Sequence, residues 1–547
     1  MNYRQRRQLT LGRRQVLCLS FAFRRLLQSY VRVELPSEAV FTKHKILLLV
    51  AIMFFSMIRF RLRDMPLERD EGEYAYAGQL LLEGIPPYQL AYNMKLPGTY
   101  AAYAGILTLF GQSAQAVHLG LILVNAATIL LVALLGRRLY GATAGLTAGV
   151  CYALLSTSPT VLGFAAHATH FVALGAVAGA ILLLDPPGKF QWRILASGVA
   201  MGMAMVMKQP GASFIAFGAL YLIVKRVRVL PIYLAGAALP FGVTCLLLWR
   251  AGVFAKFWFW TVSYGEQYGS IISPATGLLL LLGTLPKVIG PSFLLWTLAG
   301  MGAYCLARKQ HSFFTFSFLG FSFAAVCTGL YFRNHYFVML LPAVSLLAGA
   351  GLAGMAKTFL RPALAVFVAG VGISLFLQRG YLFAMDPTQA SAAIYGENPF
   401  PEAQTVARYL RVQSPPQARI AVLGSEPEIY FYADRHSATG YIYTYGLMEP
   451  QKYAARMQDE MIGEIEQSRP EYVVYVSSPP SWLRQKTSGD HIFVWAAQFL
   501  ATRYERLELP GSGSLQIFRR RTSPSPQLTA AGFRANESAA ATLRANK

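Results

Sequence analysis

The chain has 547 residues, of which 54% are hydrophobic and 14% are charged, whereas soluble domains carry roughly 25% charged residues. This composition excludes a large soluble core and indicates a protein that crosses a membrane several times. The net charge of +23 is typical of cytoplasmic loops and phosphate-rich partners in membrane proteins. Nucleic-acid binding is not expected, because the sequence has neither zinc-finger spacing nor an aromatic-basic patch.

The N-terminal region is strongly basic. Residues 1–32 contain eight arginines and no acid, and their short apolar run lacks a small-residue cleavage site, so they make a poor signal peptide. We predict that residues 1–44 form a tail on the cytoplasmic side of the plasma membrane, near anionic headgroups. An over-extended start of translation is the alternative.

Eleven apolar segments of roughly spanning length follow. Basic residues gather in every second loop between them, and the positive-inside rule places those loops in the cytoplasm. We therefore predict an α-helical polytopic membrane domain over 45–379, with about eleven transmembrane helices, the N-terminus inside and the C-terminus outside. The apolar segments lie near 46–60, 114–136, 142–158, 167–184, 192–207, 211–225, 230–249, 288–307, 312–330, 335–355 and 361–378.

The first external loop, 61–113, is unusually acidic. Six carboxylates lie between residues 64 and 83, whereas the chain from there to residue 384 has only two more. Asp70 to Glu83 reads as a helix with acids in its first turn, so an ordinary acidic helix N-terminus is one explanation. Because acids near lipid are costly unless they face water, a cation or a substrate, we instead interpret the cluster around Asp70 and Glu71 as an active site.

The apolar segment 96–111 decides the side of the membrane on which these acids lie. If it crossed, every later basic loop would face outward, so we predict an interfacial helix on the outer face. A second external loop, 250–287, is aromatic and carries the isolated acid Glu266, which is either a contact to the acceptor or a solvated loop residue.

The C-terminal part changes composition. Charged residues return after residue 380, and we predict a small extracytoplasmic α/β domain over 380–521. Its predicted strands are 419–424 and 472–477, with closing edge strands at 505–509 and 515–519 and a helix at 450–468. Residues 522–547 are rich in Ser, Ala and Thr, and we predict that they are disordered.

Several cations and histidines lie at the predicted outer ends of the spans. Three cations are predicted on the outer side, against the positive-inside rule: Lys95, Lys208 and Arg333. They either bind a lipid phosphate of the substrate or extend (snorkel) to lipid headgroups. His167 and His170 share a helix face, and a metal would take Asp70 or Glu71 as a third ligand; hydrogen-bonded histidines at a helix end are the alternative, as for His335.

Four motifs follow one another along the chain. They are Arg69-Asp70-Glu71-Gly72-Glu73-Tyr74-Ala75, Asn93-Met94-Lys95-Leu96-Pro97-Gly98, Gly136-Arg137-Arg138-Leu139-Tyr140-Gly141, and Arg333-Asn334-His335-Tyr336 before Leu340-Leu341-Pro342. In this order they resemble the motifs of the GT-C membrane glycosyltransferases. The likeness is to the protein-O-mannosyltransferase-like branch (glycosyltransferase family 39) and its bacterial relatives, which include the aminoarabinose transferases of lipid A. Relatives often have Lys-Pro-Pro in the second motif, where this chain has Leu96 between the lysine and the proline.

The resemblance implies an enzyme that moves a sugar from a polyprenyl-phosphate-linked donor to an acceptor hydroxyl on a glycan or lipid, with Asp70 as general base. From its place beside Asp70 we predict Glu71 as a second catalytic acid, which would contact the substrate or a metal. No cofactor is predicted with certainty, and a divalent metal is left open. The alternatives are transfer to a protein hydroxyl or, outside enzymes, transport of a lipid-linked glycan. The predicted substrate-binding residues are Arg69, Glu73, Tyr74, Lys95, His167, His170, Lys208, Glu266, Arg333, His335 and Tyr336.

Overall fold

The computed structural model describes residues 37–184, 190–307 and 311–521. The predicted disordered segment 522–547 and most of the predicted basic tail therefore lie outside the described residues. The described part is mostly helical and ends in a small mixed sheet. It divides into two compact units: the first takes the chain up to residue 65, 118–243 and 272–390, and the second takes 66–117, 244–271 and the chain from 391 onward.

The first unit is built from apolar helices. Close contacts between them use small residues, as in many membrane proteins: Gly302 lies against Leu347, and Gly145 lies against Ala133. The main helices of this unit, including those that begin or end beyond its limits, are Ser37–Arg61, Ala114–Tyr140, Ala142–Ser156, Ala168–Leu183, Phe190–Met207, Ala212–Arg226, Leu230–Arg250, Pro274–Ile289, Phe293–Leu306, Ser312–Val326 and Leu341–Leu377.

Each predicted apolar segment coincides with a helix, with one correction. The predicted external loop 250–287 is too long, because the helix Pro274–Ile289 begins inside it and continues through a short 3₁₀ turn into Phe293–Leu306. The loop boundary was placed too late because Pro286 and Lys287 interrupt the apolar run. Pro286 nevertheless lies inside the helix, so neither residue ends it.

The last helix of this unit, Leu341–Leu377, reverses direction along its length. Gly351 lies against Leu298 and Gly370 lies against Leu295, although a straight helix would hold the two glycines about 28 Å apart at 1.5 Å per residue. The two halves therefore pack as separate apolar segments, as the sequence predicts for 335–355 and 361–378.

Several helices have the length or composition of membrane spans, so the chain is an integral membrane protein. Within the described ranges, three stretches are long and apolar enough to cross a bilayer on their own: Ala114–Tyr140, Gln209–Arg250 and Pro274–Leu306. Shorter apolar helices accompany them.

The second unit combines helices with a five-stranded sheet of order β2-β1-β3-β5-β4. The strands are Arg419–Leu423 (β1), His436–Ser437 (β2), Tyr472–Val476 (β3), Tyr504–Leu507 (β4) and Leu515–Arg520 (β5). β1 pairs in parallel with β2 and β3, whereas β5 pairs antiparallel with β3 and β4. The prediction of two closing edge strands is wrong for β5, since β4 covers it; the apolar Leu515, Ile517 and Phe518 suit an inner strand.

The helices of the second unit come from three parts of the chain. Arg69–Leu82 packs on Gly98–Phe110, where Gly78 lies against Tyr103 and Ala104. The helix predicted for 70–83 is thereby confirmed to within one residue. The remaining helices are Phe254–Trp258, Gly265–Gly269, Pro387–Tyr395, Phe400–Gln413, Glu428–Ala433, Tyr445–Met448, Ala454–Ser468, Pro479–Trp482 and His491–Arg503.

Candidate active site

The helix Arg69–Leu82 starts with a reciprocal cap that involves Glu71. The side chain of Glu68 accepts a hydrogen bond from Glu71 N at 3.0 Å, and the Glu71 carboxylate accepts one from Glu68 N at 3.3 Å. This capping box satisfies two backbone donors at the helix start. Glu71, predicted as a second catalytic acid, is fully buried and has this positioning contact in the structure.

Asp70 and Glu73 share one cation, Lys95. The Lys95 Nζ lies 2.8 Å from Asp70 Oδ1 and 2.6 Å from Glu73 Oε2. The side chain of Asp70 is 18% exposed, whereas that of Glu73 is fully buried. Of the two acids bound to Lys95, Asp70 is therefore the one that a substrate can reach.

Hydroxyl and amide donors complete this acid cluster. Tyr443 OH donates to Asp70 Oδ1 at 2.7 Å, Tyr100 OH donates to Glu73 Oε1 at 2.6 Å, and Asn93 Nδ2 donates to Glu73 Oε2 at 2.9 Å. The Lys95 ammonium also lies 4.6 Å from the centre of the Tyr74 ring, at a distance suited to a cation–π contact. Donors from three separate segments thus fix the two carboxylates.

The local electrostatics favour a charged lysine. Burial opposes the ammonium, but the carboxylates of Asp70 and Glu73 outweigh it and raise the pKa of Lys95 above its usual value. Burial also raises the pKa of Glu73, against the opposing effect of Lys95. Burial and then the charge of Asp70 raise the pKa of Tyr443, so this phenol stays protonated and donates its hydrogen.

A layer of charges lies behind the cluster, within the same unit. Arg69 pairs with Glu426 at 2.8 Å, bonds Asn398 at 3.0 Å and donates to the carbonyl of Ser425. Glu428 is fully buried against Gly72, and its carboxyl oxygens have no hydrogen-bond partner among the described residues. Burial and the nearby Glu426 raise the pKa of Glu428 well above its usual range, which favours its neutral form.

Six of these residues were not predicted as site residues from the sequence: Tyr443, Tyr100, Glu426, Glu428, Asn93 and Asn398. Tyr443, Glu426 and Glu428 lie more than 340 positions after Asp70 along the chain, and no local spacing links them to it. Tyr100 lies in the segment 96–111, which was predicted as an interfacial helix. Its position in the motif region, shortly after Lys95, was the one available signal.

The first unit holds six more of the predicted residues, which are His167, His170, Lys208, Arg333, His335 and Tyr336. The rings of His167 and His335 stack with centroids 4.1 Å apart, and Lys208 Nζ lies 3.3 Å from His335 Nε2. Lys208 also lies 4.3 Å from the centre of the Tyr336 ring. The structure thus brings together four residues from three separate segments of the chain, and their histidines, lysine and phenol suit an anionic ligand.

The other three predicted residues are His170, Arg333 and Glu266. His170 is buried, and its ring nitrogens have no hydrogen-bond partner in the described chain. Arg333 packs on the ring of Tyr331 at 5.3 Å. Glu266 is exposed on the short helix Gly265–Gly269, and its predicted acceptor contact stays a prediction.

The acid cluster suits proton transfer. An ionised carboxylate held by a lysine and a phenol has a fixed orientation and can accept a proton from a bound hydroxyl. A metal on Asp70 would compete with Lys95 for the carboxylate. The acids and the histidines belong to different units, so the metal site predicted between them stays a prediction.

Comparisons with known proteins agree with the motifs. Residues 95–249 match the family model described as dolichyl-phosphate-mannose-protein mannosyltransferase. A comparison with curated proteins gives no match. ArnT from Cupriavidus metallidurans in the apo state is similar at 16% identity and a TM-score of 0.59, over 89% of this chain and 100% of that chain. The structure of the same protein bound to undecaprenyl phosphate is similar at 18% identity and a TM-score of 0.58, over 88% and 99%. The resemblance predicted from the motifs is therefore confirmed: the chain has the fold of ArnT, and the family model that matches residues 95–249 indicates a membrane glycosyltransferase.

Proposed function

We propose that the protein transfers a sugar from a polyprenyl-phosphate-linked donor to an acceptor hydroxyl on a glycan or lipid, at the extracytoplasmic face of the plasma membrane. The family match and the fold support a lipid-phosphate donor, because the ArnT structure of the same fold holds undecaprenyl phosphate. The observation that carries the proposal is the acid cluster of Asp70, Glu73 and Lys95.

Asp70 is the general base in this proposal. The acceptor oxygen attacks the anomeric carbon of the sugar, the bond from that carbon to the phosphate oxygen breaks, and the acceptor proton moves to Asp70. Lys95 and Tyr443 orient the carboxylate through Oδ1. A base fixed in this way contributes typically 10²–10⁴-fold to the rate.

The departing lipid phosphate takes up the electron pair of the broken bond and needs cations near it. Lys208 and Arg333 are our candidates for that task, and His167, His335 and Tyr336 surround Lys208. Lys95 was predicted for the same task. Its two ion pairs support a different one, which is to hold Asp70 and Glu73.

The finer topology belongs to this proposal. About eleven spans, with the N-terminus inside and the acids outside, agree with the alternation of basic loops. An interfacial placement of the helix Gly98–Phe110 on the outer face keeps that alternation, whereas a crossing would turn every later basic loop outward. A cysteine at Leu109, which is 75% exposed, tests this placement: an impermeant thiol reagent added outside intact cells labels it, whereas labelling only from the cytoplasm would contradict it.

One observation favours a second acceptor class. The matched family model is described as a protein mannosyltransferase, so an acceptor hydroxyl on a protein is the runner-up. Incubation of the enzyme and a radiolabelled polyprenyl-phosphate sugar with membranes separates the two, because the label appears in lipid and glycan fractions under our proposal and in protein bands under the alternative.

The catalytic assignment is tested with Asp70→Asn, which keeps the shape of the side chain and removes its ability to take a proton at neutral pH. We expect kcat for sugar transfer to fall by about 10²–10⁴-fold, with donor binding retained. Asp64→Asn is the matched control, because Asp64 is 43% exposed and its contact with Arg63 is long, at 3.8 Å. Equal activity of Asp70→Asn and wild type would exclude Asp70 as the base.

A further inference from the structure

A surface cavity of about 330 Å³ lies within the second unit, apart from the acid cluster. One wall comes from the loop before Tyr92, and the others come from the start of β1, the segment after β2 and the end of the helix Ala454–Ser468. We call it the polar pocket. Its size falls in the range of pockets that hold small ligands.

The floor of the polar pocket is a pre-organised carboxylate. Glu464 accepts hydrogen bonds from Thr439 Oγ1 at 2.5 Å, from Gly440 N at 2.9 Å and from Tyr92 OH at 2.9 Å. Lys256 Nζ in turn donates to Tyr92 OH at 2.5 Å. A carboxylate offers about four acceptor positions, and these three bonds leave one of them for a ligand hydroxyl.

The walls carry planar polar groups that face solvent. Gln89, Arg419 and Gln467 are exposed at the rim. Arg419 donates one hydrogen bond to the carbonyl of Ser437, at 3.2 Å, out of the five N–H donors that a guanidinium has. Leu90 and Ala438 add apolar surface. The pocket therefore offers donors, acceptors and a small apolar patch together.

This mixture of groups selects among ligand classes. One guanidinium and one carboxylate nearly cancel in charge, which disfavours a phosphate or a polyanion. Sugar hydroxyls both donate and accept, so they fit amides, a carboxylate and a guanidinium side by side, while the C–H face of a sugar ring fits the apolar patch. The chemistry of the pocket matches a carbohydrate.

The polar pocket is joined to the acid cluster through the chain itself. Tyr92 supports its floor, and the next residue, Asn93, bonds Glu73 of the cluster at 2.9 Å. We propose that the polar pocket binds a sugar residue of the acceptor glycan at a distance from the hydroxyl that reacts. This inference rests on the glycosyl transfer proposed above, and it names a glycan as the acceptor.

The test measures binding of neutral trisaccharides to the full-length enzyme in a detergent without a sugar headgroup, since an alkyl maltoside would compete. The probes are mannotriose, chitotriose and maltotriose. Their binding is detected by saturation-transfer NMR in the absence of the sugar donor. Gln467→Trp fills the pocket from the helix side and Gln89→Trp fills it from the loop side. Gln413→Trp is the matched control, because Gln413 is also an exposed glutamine near the end of a helix.

We expect at least one trisaccharide to give ring-proton signals with wild type and with Gln413→Trp. Both pocket-filling variants should weaken binding about tenfold or more, which corresponds to about 1.4 kcal/mol. Unchanged binding by a pocket-filling variant that melts like wild type, or no binding of any probe by wild type, would overturn the inference. Because no donor is present, either result is separate from the outcome of the Asp70→Asn transfer assay.

Discussion

Replacement of Lys95 by methionine tests whether this cation holds the acid cluster together. Methionine keeps an unbranched apolar stem and removes the ammonium, so Glu73 remains fully buried with only Tyr100 and Asn93 as donors. Removal of one partner from a buried ion pair costs about 3–5 kcal/mol. We expect a loss of stability in the upper part of this range, because the substitution also removes the contact with Asp70 and the Lys95 side chain is only 16% exposed.

The effect should depend on pH in a defined direction. Burial already raises the pKa of Glu73, and loss of Lys95 raises it further. A carboxyl whose folded pKa lies above its unfolded value is stabilising below the unfolded pKa, about 4.3, and this stability is lost as pH rises through the folded pKa. Lys95→Met should therefore be closest to wild type near pH 5 and most destabilised near pH 8.

Melting temperatures of the full-length enzyme in detergent check this reasoning, together with a double-variant cycle. Glu73→Gln in the Lys95→Met background removes the unpaired charge, so it should restore much of the melting temperature. Sugar transfer should remain low, because Asp70 still lacks its lysine. An unchanged melting temperature for Lys95→Met, or a double variant no more stable than the single one, would refute the role assigned to Lys95.

Three further predictions follow from single contacts. Tyr443→Phe removes a hydrogen bond to the Asp70 carboxylate, worth about 1.5–3 kcal/mol, so kcat/KM for transfer should fall about 10- to 150-fold; an unchanged value would contradict the contact. Gly72→Ala places a methyl 2.6 Å from Glu428 Cβ and should destabilise the protein by about 1–3 kcal/mol, which a lower melting temperature would show. The control is Gly105→Ala, which should leave the melting temperature unchanged because Gly105 is a helical glycine with open space around it. Glu428 has a raised pKa, so its stabilising effect should be lost as pH rises; between pH 6 and 9 the melting temperature of wild type should fall more than that of Glu428→Gln, and parallel curves would count against a buried neutral acid.

The regular elements of this protein follow from local patterns. Continuous apolar runs of spanning length determined the helices of the first unit, since a backbone in lipid must satisfy its own hydrogen bonds. Short continuous apolar runs, bounded by polar or turn-forming residues, determined β1 and β3 to within a residue. The helix Arg69–Leu82 also followed from its sequence, because its acids lie in the first turn and Gly84 with Pro86 stops it.

The candidate site was predicted in part. Asp70, Glu73 and Lys95 belong to two motifs close together in the chain, and their order was enough to assign them to one site. Arg69 was predicted as a substrate-binding residue, but its partners Glu426 and Asn398 come from the distant C-terminal part.

The sequence by itself determined the class of protein, its apolar helices and the short list of acids and cations, because each of these depends on composition or on near neighbours in the chain. Only the tertiary structure decided which acid is reachable, through burial of Glu73 and partial exposure of Asp70. It also supplied Tyr443 and the polar pocket, since contacts between residues hundreds of positions apart depend on how the helices and the sheet pack, and no local pattern records that packing.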